Sequence, residues 1–236
     1  MASTTSCPFC GMELRARTLD VAGRTIFAGY EPCQCDGAVR QREADERAEA
    51  DAAERERYER RRRAYERAGI MPRYSDAEHP MARECAELAE GGSNLYICGG
   101  VGTGKTMLAA VTSRILVDHG VRVRFSSMWK ILDAIKDGFK DGSDPLPEYQ
   151  RVRCLVLDDL GKESPTDFAL ERIFALVDER YNRMLPTIVT TQYKPGMLIE
   201  RLAKSGDKDT AIAVVSRLRD GCEVVELGGR DRRVHG

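Results

Sequence analysis

Gly99-Gly100-Val101-Gly102-Thr103-Gly104-Lys105-Thr106 follows the apolar run Leu95-Tyr96-Ile97-Cys98 and leads into Met107, Leu108, Ala109 and Val111. The eight residues fit G-x-x-x-x-G-K-[ST] at every position, in the strand, loop and helix setting that the pattern requires. Glycines at four of the first six positions let the backbone turn tightly and aim N–H groups inward at a helix N-terminus, where phosphate is favoured. Lys105 is then expected to reach the outer phosphates of a nucleotide, and the Thr106 hydroxyl to hold Mg²⁺. The alternative, a glycine-rich turn without a ligand, does not require a match at all eight positions.

A second element further along completes such a site. Cys154-Leu155-Val156-Leu157-Asp158-Asp159 is four apolar residues ending in two acids, the pattern of a buried strand delivering carboxylates at its carboxyl end. Asp158 is expected to organise Mg²⁺ and Asp159 to orient the attacking water. Downstream, Thr187-Ile188-Val189-Thr190-Thr191 ends on Gln192, a polar group positioned to sense the terminal phosphate. Arg217, Arg219, Arg230, Arg232 and Arg233 supply cations late in the chain, either for the phosphates or as solvated surface charges.

Between Gly69 and Gly236 strand and helix patterns alternate. Strands are expected at Leu95 to Cys98, Val121 to Ser126, Cys154 to Leu157, Thr187 to Thr191 and Cys222 to Leu227. Helices are expected at Thr106 to Asp118, Met128 to Lys136, Asp167 to Arg183, Lys194 to Leu202 and Val215 to Arg219. Such alternation predicts an α/β fold with a parallel sheet flanked by helices. The 236 residues allow one main domain with a small appendage.

The appendage is written in cysteine. Of eight cysteines, four fall early, in Cys7-Pro8-Phe9-Cys10 and Cys33-Gln34-Cys35, with Gly23 and Gly29 at turn positions between them. A hairpin there brings the two pairs together as a closed Cys₄ zinc site, and the metal supplies folding free energy that so few residues lack. Four reduced thiols, or a redox pair at Cys7 and Cys10, are the competing readings. Residues 38–67 differ again: 19 of 30 are charged, ten of them arginines, with no Gly or Pro. Acid-first pairs four apart, such as Glu56 with Arg60, favour one long solvated helix. Its Arg60-Arg61-Arg62-Arg63 run either faces water or touches phosphate or an acidic partner. The domains expected are therefore a zinc-binding unit at 1–37, a charged helical linker at 38–67 and a nucleotide-binding domain at 68–236.

A formal charge of −1 excludes a protein that is basic throughout. Without an apolar run of membrane-span length or a signal-like N-terminus, a cytoplasmic address and no membrane partner are expected.

Taken together, Gly99 to Thr106, the run Leu155 to Glu163, the stretch Asp178-Glu179-Arg180-Tyr181-Asn182-Arg183 into Pro186-Thr187-Ile188, and Ser216-Arg217-Leu218 resemble the AAA+ helicase-loader family. This family comprises loaders of the DnaC and DnaI type and the transposase helper IstB. The likeness covers roughly residues 69 to 233. It implies an AAA+ ATPase with a P-loop that uses ATP, assembles as a ring or spiral homo-oligomer, grips single-stranded DNA and acts on a replicative DNA helicase in replication. By motif, the resemblance makes Asp158 and Asp159 the Walker B pair, Arg217 the arginine finger reaching a neighbour's ATP, and Arg233 the sensor II residue. Gln192 stands where the family commonly has Asn. The zinc-type N-terminus resembles that of DnaI-like loaders, where it contacts the helicase. The short length suggests a phage or mobile element. Lys204-Ser205-Gly206-Asp207-Lys208-Asp209 is expected to be a mobile loop. For DNA, Lys130, Lys136 and Lys140 are candidates near Trp129, which is expected in the core. The alternatives are an IstB-like transposase-helper ATPase, a nucleotide-gated binding module with negligible hydrolysis, and a small-molecule kinase, for which no lid segment is evident.

Overall fold

The computed structural model describes residues 5–21, 24–205 and 207–229. Two compact units meet in the chain between Arg60 and Arg61. In the first, β1 (Ala16–Val21) and β2 (Arg24–Tyr30) pair antiparallel, with Leu19 opposite Ile26 and Thr18 opposite Phe27. The hairpin expected between the cysteine pairs is thus formed, and its turn residue Gly23 lies outside the described residues. The 33-residue helix α1 (Asp36–Ala68) follows, as its uninterrupted helix formers predict.

In the second unit a helix α2 (Ala82–Glu90) precedes β3 (Asn94–Gly99) and α3 (Lys105–Asp118). Then come β4 (Val123–Ser127), α4 (Met128–Asp141), α5 (Leu146–Arg151), β5 (Cys154–Asp158) and α6 (Asp167–Asn182). The order ends with β6 (Thr187–Thr191), α7 (Pro195–Leu202), α8 (Lys208–Arg219) and β7 (Cys222–Leu227). The five strands form one sheet in the order β4-β5-β6-β3-β7, every neighbouring pair parallel. This is the expected α/β architecture.

Because side chains alternate along a strand, each buried strand feeds two cores. Leu95 and Ile97 of β3, with Val156 of β5 and Ile188 of β6, pack under α2 and α3. Tyr96, Leu155, Leu157 and Val189 pack on the opposite face against α4, α6, α7 and α8. Helix α4 presents Met128, Ile131, Leu132 and Ile135 to that core, a stripe at i, i+3, i+4 and i+7. Trp129 lies off the stripe and is 59% exposed, so the expectation of a core tryptophan is corrected.

A second correction concerns the expected mobile loop. Its first two residues end a short 3₁₀ turn, Ala203–Ser205, and Gly206 lies outside the described residues. From Lys208 onward it is helix: the Asp207 side chain accepts a hydrogen bond from the Thr210 amide as an N-cap. Ala211, Val214, Val215 and Leu218 bury the face below. Helix α8 therefore starts seven residues before the expected Val215.

The fully buried Arg180 ties these layers together. Its guanidinium donates to the carbonyls of Tyr149, Val152 and Pro186 and to the Thr187 hydroxyl. Burial brings it down to about 10, still charged at neutral pH. Among the described residues no carboxylate binds it; backbone oxygens at the end of α5 and before β6, with the Thr187 hydroxyl, hold it instead. Arg180→Met is expected to cost about 3 kcal/mol of unfolding free energy, since it strands several buried acceptors. Urea denaturation checks this, and an unchanged midpoint would remove Arg180 from that role.

Candidate functional site

The nucleotide-loop residues connect the end of β3 to the start of α3. Gly99 has φ +152°, and a Cβ there would meet the Leu227 carbonyl oxygen of β7 at 2.1 Å. Only glycine fits between the two strands as the loop leaves the sheet. Gly104, at φ +98°, is the N-cap of α3. The Thr103 hydroxyl donates to the Gly100 carbonyl across the turn. The Lys105 ammonium is buried and donates to the carbonyl oxygens of Gly99 (2.9 Å) and Gly100 (2.6 Å). The side chain thus folds back over the loop at whose mouth an outer phosphate would sit.

The two expected Mg²⁺ residues are near neighbours, and the Thr106 hydroxyl helps to hold the Asp158 carboxyl down. Burial pushes the Asp158 carboxyl above the usual range, while the hydrogen bond from Thr190 and the nearby Thr106 hydroxyl oppose that shift and the charge of Asp159 adds to it. A buried carboxylate of this kind, beside a hydroxyl, is chemically suited to a hard divalent cation, whose charge would offset the burial.

Thr190 organises both acids. Its hydroxyl donates to Asp158 at 2.6 Å and accepts the Asp159 backbone N–H at 2.9 Å. The Asp159 backbone is left-handed, φ 57°, a conformation that short polar residues tolerate at some cost in strain. The Asp159 carboxylate is paired with the Lys162 ammonium at 2.7 Å. The turn beyond is braced from below. Buried Glu163 accepts the Gly161 N–H on both oxygens, and Arg201 of α7 donates to the carbonyls of Gly161 (2.7 Å) and Glu163 (2.8 Å). Burial holds the Glu163 carboxyl above the ordinary range.

A cleft of about 230 Å³ is lined by Gly102, Gly104, Lys105, Thr106, Asp159 and Gln192, and also by Arg73, Tyr74 and Lys162. The site residues Gly99, Gly100, Val101, Gly102, Thr103, Gly104, Lys105, Thr106, Asp158, Asp159 and Gln192 are thus assembled at one end of the sheet. Arg217 is elsewhere. It lines a cavity with Asn94 and Thr187, the first residues of β3 and β6, whereas the nucleotide loop follows Gly99, the last of β3. A six-residue strand separates those ends by about 16 Å. There Arg217 pairs with Asp178 at 2.8 Å and lies over the rings of Phe174 and Tyr181. Arg233, with Arg230 and Arg232, lies outside the described residues.

The spacing of the motifs pointed to Lys105, Asp158 and Asp159, but not to the roles of Thr190, Lys162, Glu163 and Arg201. In sequence Thr190 is one more β-branched strand residue, and Arg201 is one more charge on an amphipathic helix.

In the N-terminal unit the Sγ atoms of Cys7, Cys10, Cys33 and Cys35 all lie within 4.8 Å of one another. Cys7 to Cys35 is 3.8 Å and Cys10 to Cys33 3.5 Å. A tetrahedral zinc with Zn–S bonds of about 2.3 Å sets sulfurs about 3.8 Å apart, while a disulfide needs about 2 Å. The four thiols therefore fit zinc. Backbone N–H groups of Phe9 and Cys10 help to hold the Cys7 thiol down to about 7, whereas, against a bond from the Met12 backbone, the crowding of Cys33, Cys35 and Cys7 pushes the Cys10 thiol up to about 12; a bound metal would have to displace that proton.

The family described as IstB-like ATP binding protein matches residues 74–235. An ATP-binding protein of an insertion sequence from Mycobacterium tuberculosis is 28% identical over 119 residues, covering 49% of this chain and 47% of that protein. The chain thus spans about half the length of that relative. The replicative helicase loader DnaC of Escherichia coli K12 is 28% identical over 178 residues, covering 67% of this chain and 69% of that one. The crystal structure of the DnaC helicase loader superposes with a TM-score of 0.56 at 27% identity, covering 67% of this chain and all of that one.

Two outcomes are expected. Thr190→Val keeps the shape of the strand but removes the hydroxyl between the acids, and should lower ATP turnover about tenfold with nucleotide affinity within about threefold; turnover equal to wild type would detach Thr190 from the chemistry. The purified protein should carry one zinc per chain by elemental analysis, and Cys10→Ala should lose it; metal-free protein with an intact N-terminal unit would refute the zinc reading.

Proposed function

The chain belongs to the IstB-like ATP binding protein family, and from that premise we propose that it is an ATP-hydrolysing loader of a replicative DNA helicase. In this reading the unit at 1–37 holds zinc and contacts the helicase, 38–67 is a helical linker, and 68–236 is an oligomerising AAA+ ATPase that binds single-stranded DNA.

ATP would lie in the cleft before Lys105, its phosphates cradled by loop amides from Gly100 to Thr106. Thr106 and Asp158 would hold Mg²⁺, which when bound supplies charge stabilisation at the phosphates. Asp159 would orient a water and accept its proton, held at the right angle by its strained backbone and by Thr190. Gln192 would read the terminal phosphate. The observation that carries the assembly is the position of Arg217 at the other end of β3 from its own loop: no guanidinium from α8 can serve the phosphates of its own chain. It is suited to a neighbour's. Arg233 is kept as the proposed sensor II residue.

Helicase contact is supported by the apolar surface of the N-terminal unit, where Phe9, Met12, Leu19, Ile26 and Phe27 are all exposed. DNA contact is supported by exposed Trp129 beside exposed Lys130 at the start of α4, an aromatic platform with a cation next to it. Among the described residues, no helix is long and apolar enough to cross a membrane.

One observation favours the nucleotide-gated binding module as a second reading. The Asp159 carboxylate is neutralised by Lys162, which would slow hydrolysis if the pair persisted with ATP bound.

Three measurements separate these. Lys105→Ala should abolish ATP binding and turnover. Mixing Arg217→Ala protein with Asp159→Asn protein should give turnover above either alone, because intact sites of the first receive Arg217 from the second; no gain argues against a finger supplied in trans. Co-purification with a hexameric replicative helicase should be lost in Cys7→Ala protein. Binding to a transposase instead would transfer the chain to the IstB-like helper function, and ATP binding without turnover would favour the gated module.

A further inference from the structure

The largest cavity described in the second unit is not the nucleotide cleft. A groove of about 670 Å³ runs between the last turn of α1, the start of β4 and helix α5. It lies at the amino ends of the strands, away from the site above. Its floor is aliphatic: Ala64, Ala68, Val117, Val121, Val123 and Val152. Its rim carries Arg67, Arg122, Arg124 and Arg151 against one carboxylate, Glu148. Glu148 is already paired with Arg124, whose guanidinium also donates to the Arg67 carbonyl. Exposed Arg67, Arg122 and Arg151 have no side-chain partner among the described residues.

Guanidinium groups concentrated around an aliphatic concave floor, in a chain of nearly balanced charge, are complementary to an occupant with acids flanking an aliphatic anchor. A nucleic acid fits less well. The groove has no aromatic side chain on which a base could stack, and its floor is a recess rather than a ridge that could enter a duplex groove. A bound nucleotide is served by the other cleft.

We propose that this groove docks an acidic, amphipathic segment of a partner protein, with one or two aliphatic side chains on the Val121–Val152 floor and carboxylates against Arg67, Arg122 and Arg151. The proposal is independent of the ATPase reading and of the zinc unit.

The test uses the full-length protein and a phage-displayed random-peptide library. Peptides that enrich on wild type, counter-selected against an Arg122→Glu/Arg151→Glu double variant, should carry Asp or Glu around Leu, Ile or Val. A fluorescein-labelled winner should bind roughly tenfold more weakly to the double variant, and more weakly as salt rises. The milder Arg122→Gln/Arg151→Gln pair should give an intermediate loss. Both arginines are exposed, and unchanged binding of a fluorescent ATP analogue shows that the variants are folded. Failure to enrich over the double variant, or winners without net negative charge, overturns the proposal. So does displacement of the peptide by oligo-dT, which would make the groove a nucleic-acid surface, or self-association lost in the double variant, which would assign it to a second copy of this chain.

Discussion

The five strands of the sheet in the second unit run in the same direction, so their carboxyl ends emerge along one edge, and the loop, acids and Gln192 that line the candidate nucleotide site are there for that reason. The nucleotide loop leaves β3, the two aspartates leave β5, and Gln192 leaves β6, which lies between them in the sheet. Strand β6 also supplies Thr190, whose single hydroxyl is bonded to the side chain of one aspartate and the backbone of the other. The parallel register that pairs Leu157 with Val189 puts this hydroxyl level with the acids. A sheet slipped by one residue would turn Thr190 to the other face and leave Asp158 without its donor.

That edge stores strain and buried charge, and the surrounding structure restrains both. Asp159 holds a left-handed backbone that most residues avoid. The turn after it is fixed by Glu163 on one side and by Arg201 on the other, while the Tyr193 ring closes against Gly161. Because Tyr193 and α7 come soon after Gln192 in the chain, Gln192 and the turn that presents Asp159 share one support. The Lys162–Asp159 pair on the outside is half exposed and correspondingly weak, so it can exchange when a more strongly charged ligand enters the cleft.

The two ends of the sheet have different chemistry. At the carboxyl end, buried acids and a folded-back lysine are arranged around the cleft. At the amino end, Arg217 is stacked on aromatic rings and tied to Asp178, and the arginine-rimmed groove lies beside β4. A chain whose charges nearly cancel in sum is therefore strongly patterned in space. In the N-terminal unit four thiols are gathered within 4.8 Å of one another, while the hairpin leaves Leu19, Val21, Ile26 and Phe27 exposed.

Local pattern determined a good deal by itself. Eight consecutive positions dictated the loop, because its conformation depends on glycines that tolerate φ values other residues avoid. Apolar runs ending in acids located the strand of Asp158, alternation of strand and helix dictated the parallel sheet, and the cysteine spacing anticipated a hairpin that gathers four sulfurs. Tertiary structure decided what depends on neighbours distant in the chain. It turned Trp129 outward because the buried stripe of α4 starts at Met128, and it extended α8 back to Lys208 because an Asp207 cap and a buried face outweigh the polar composition there. It recruited Thr190, Glu163, Arg180 and Arg201 through hydrogen bonds to partners that no local window contains. Periodicity and turn chemistry act over a few residues, whereas the partner of a buried hydroxyl, carboxylate or guanidinium is chosen by which strands and helices meet.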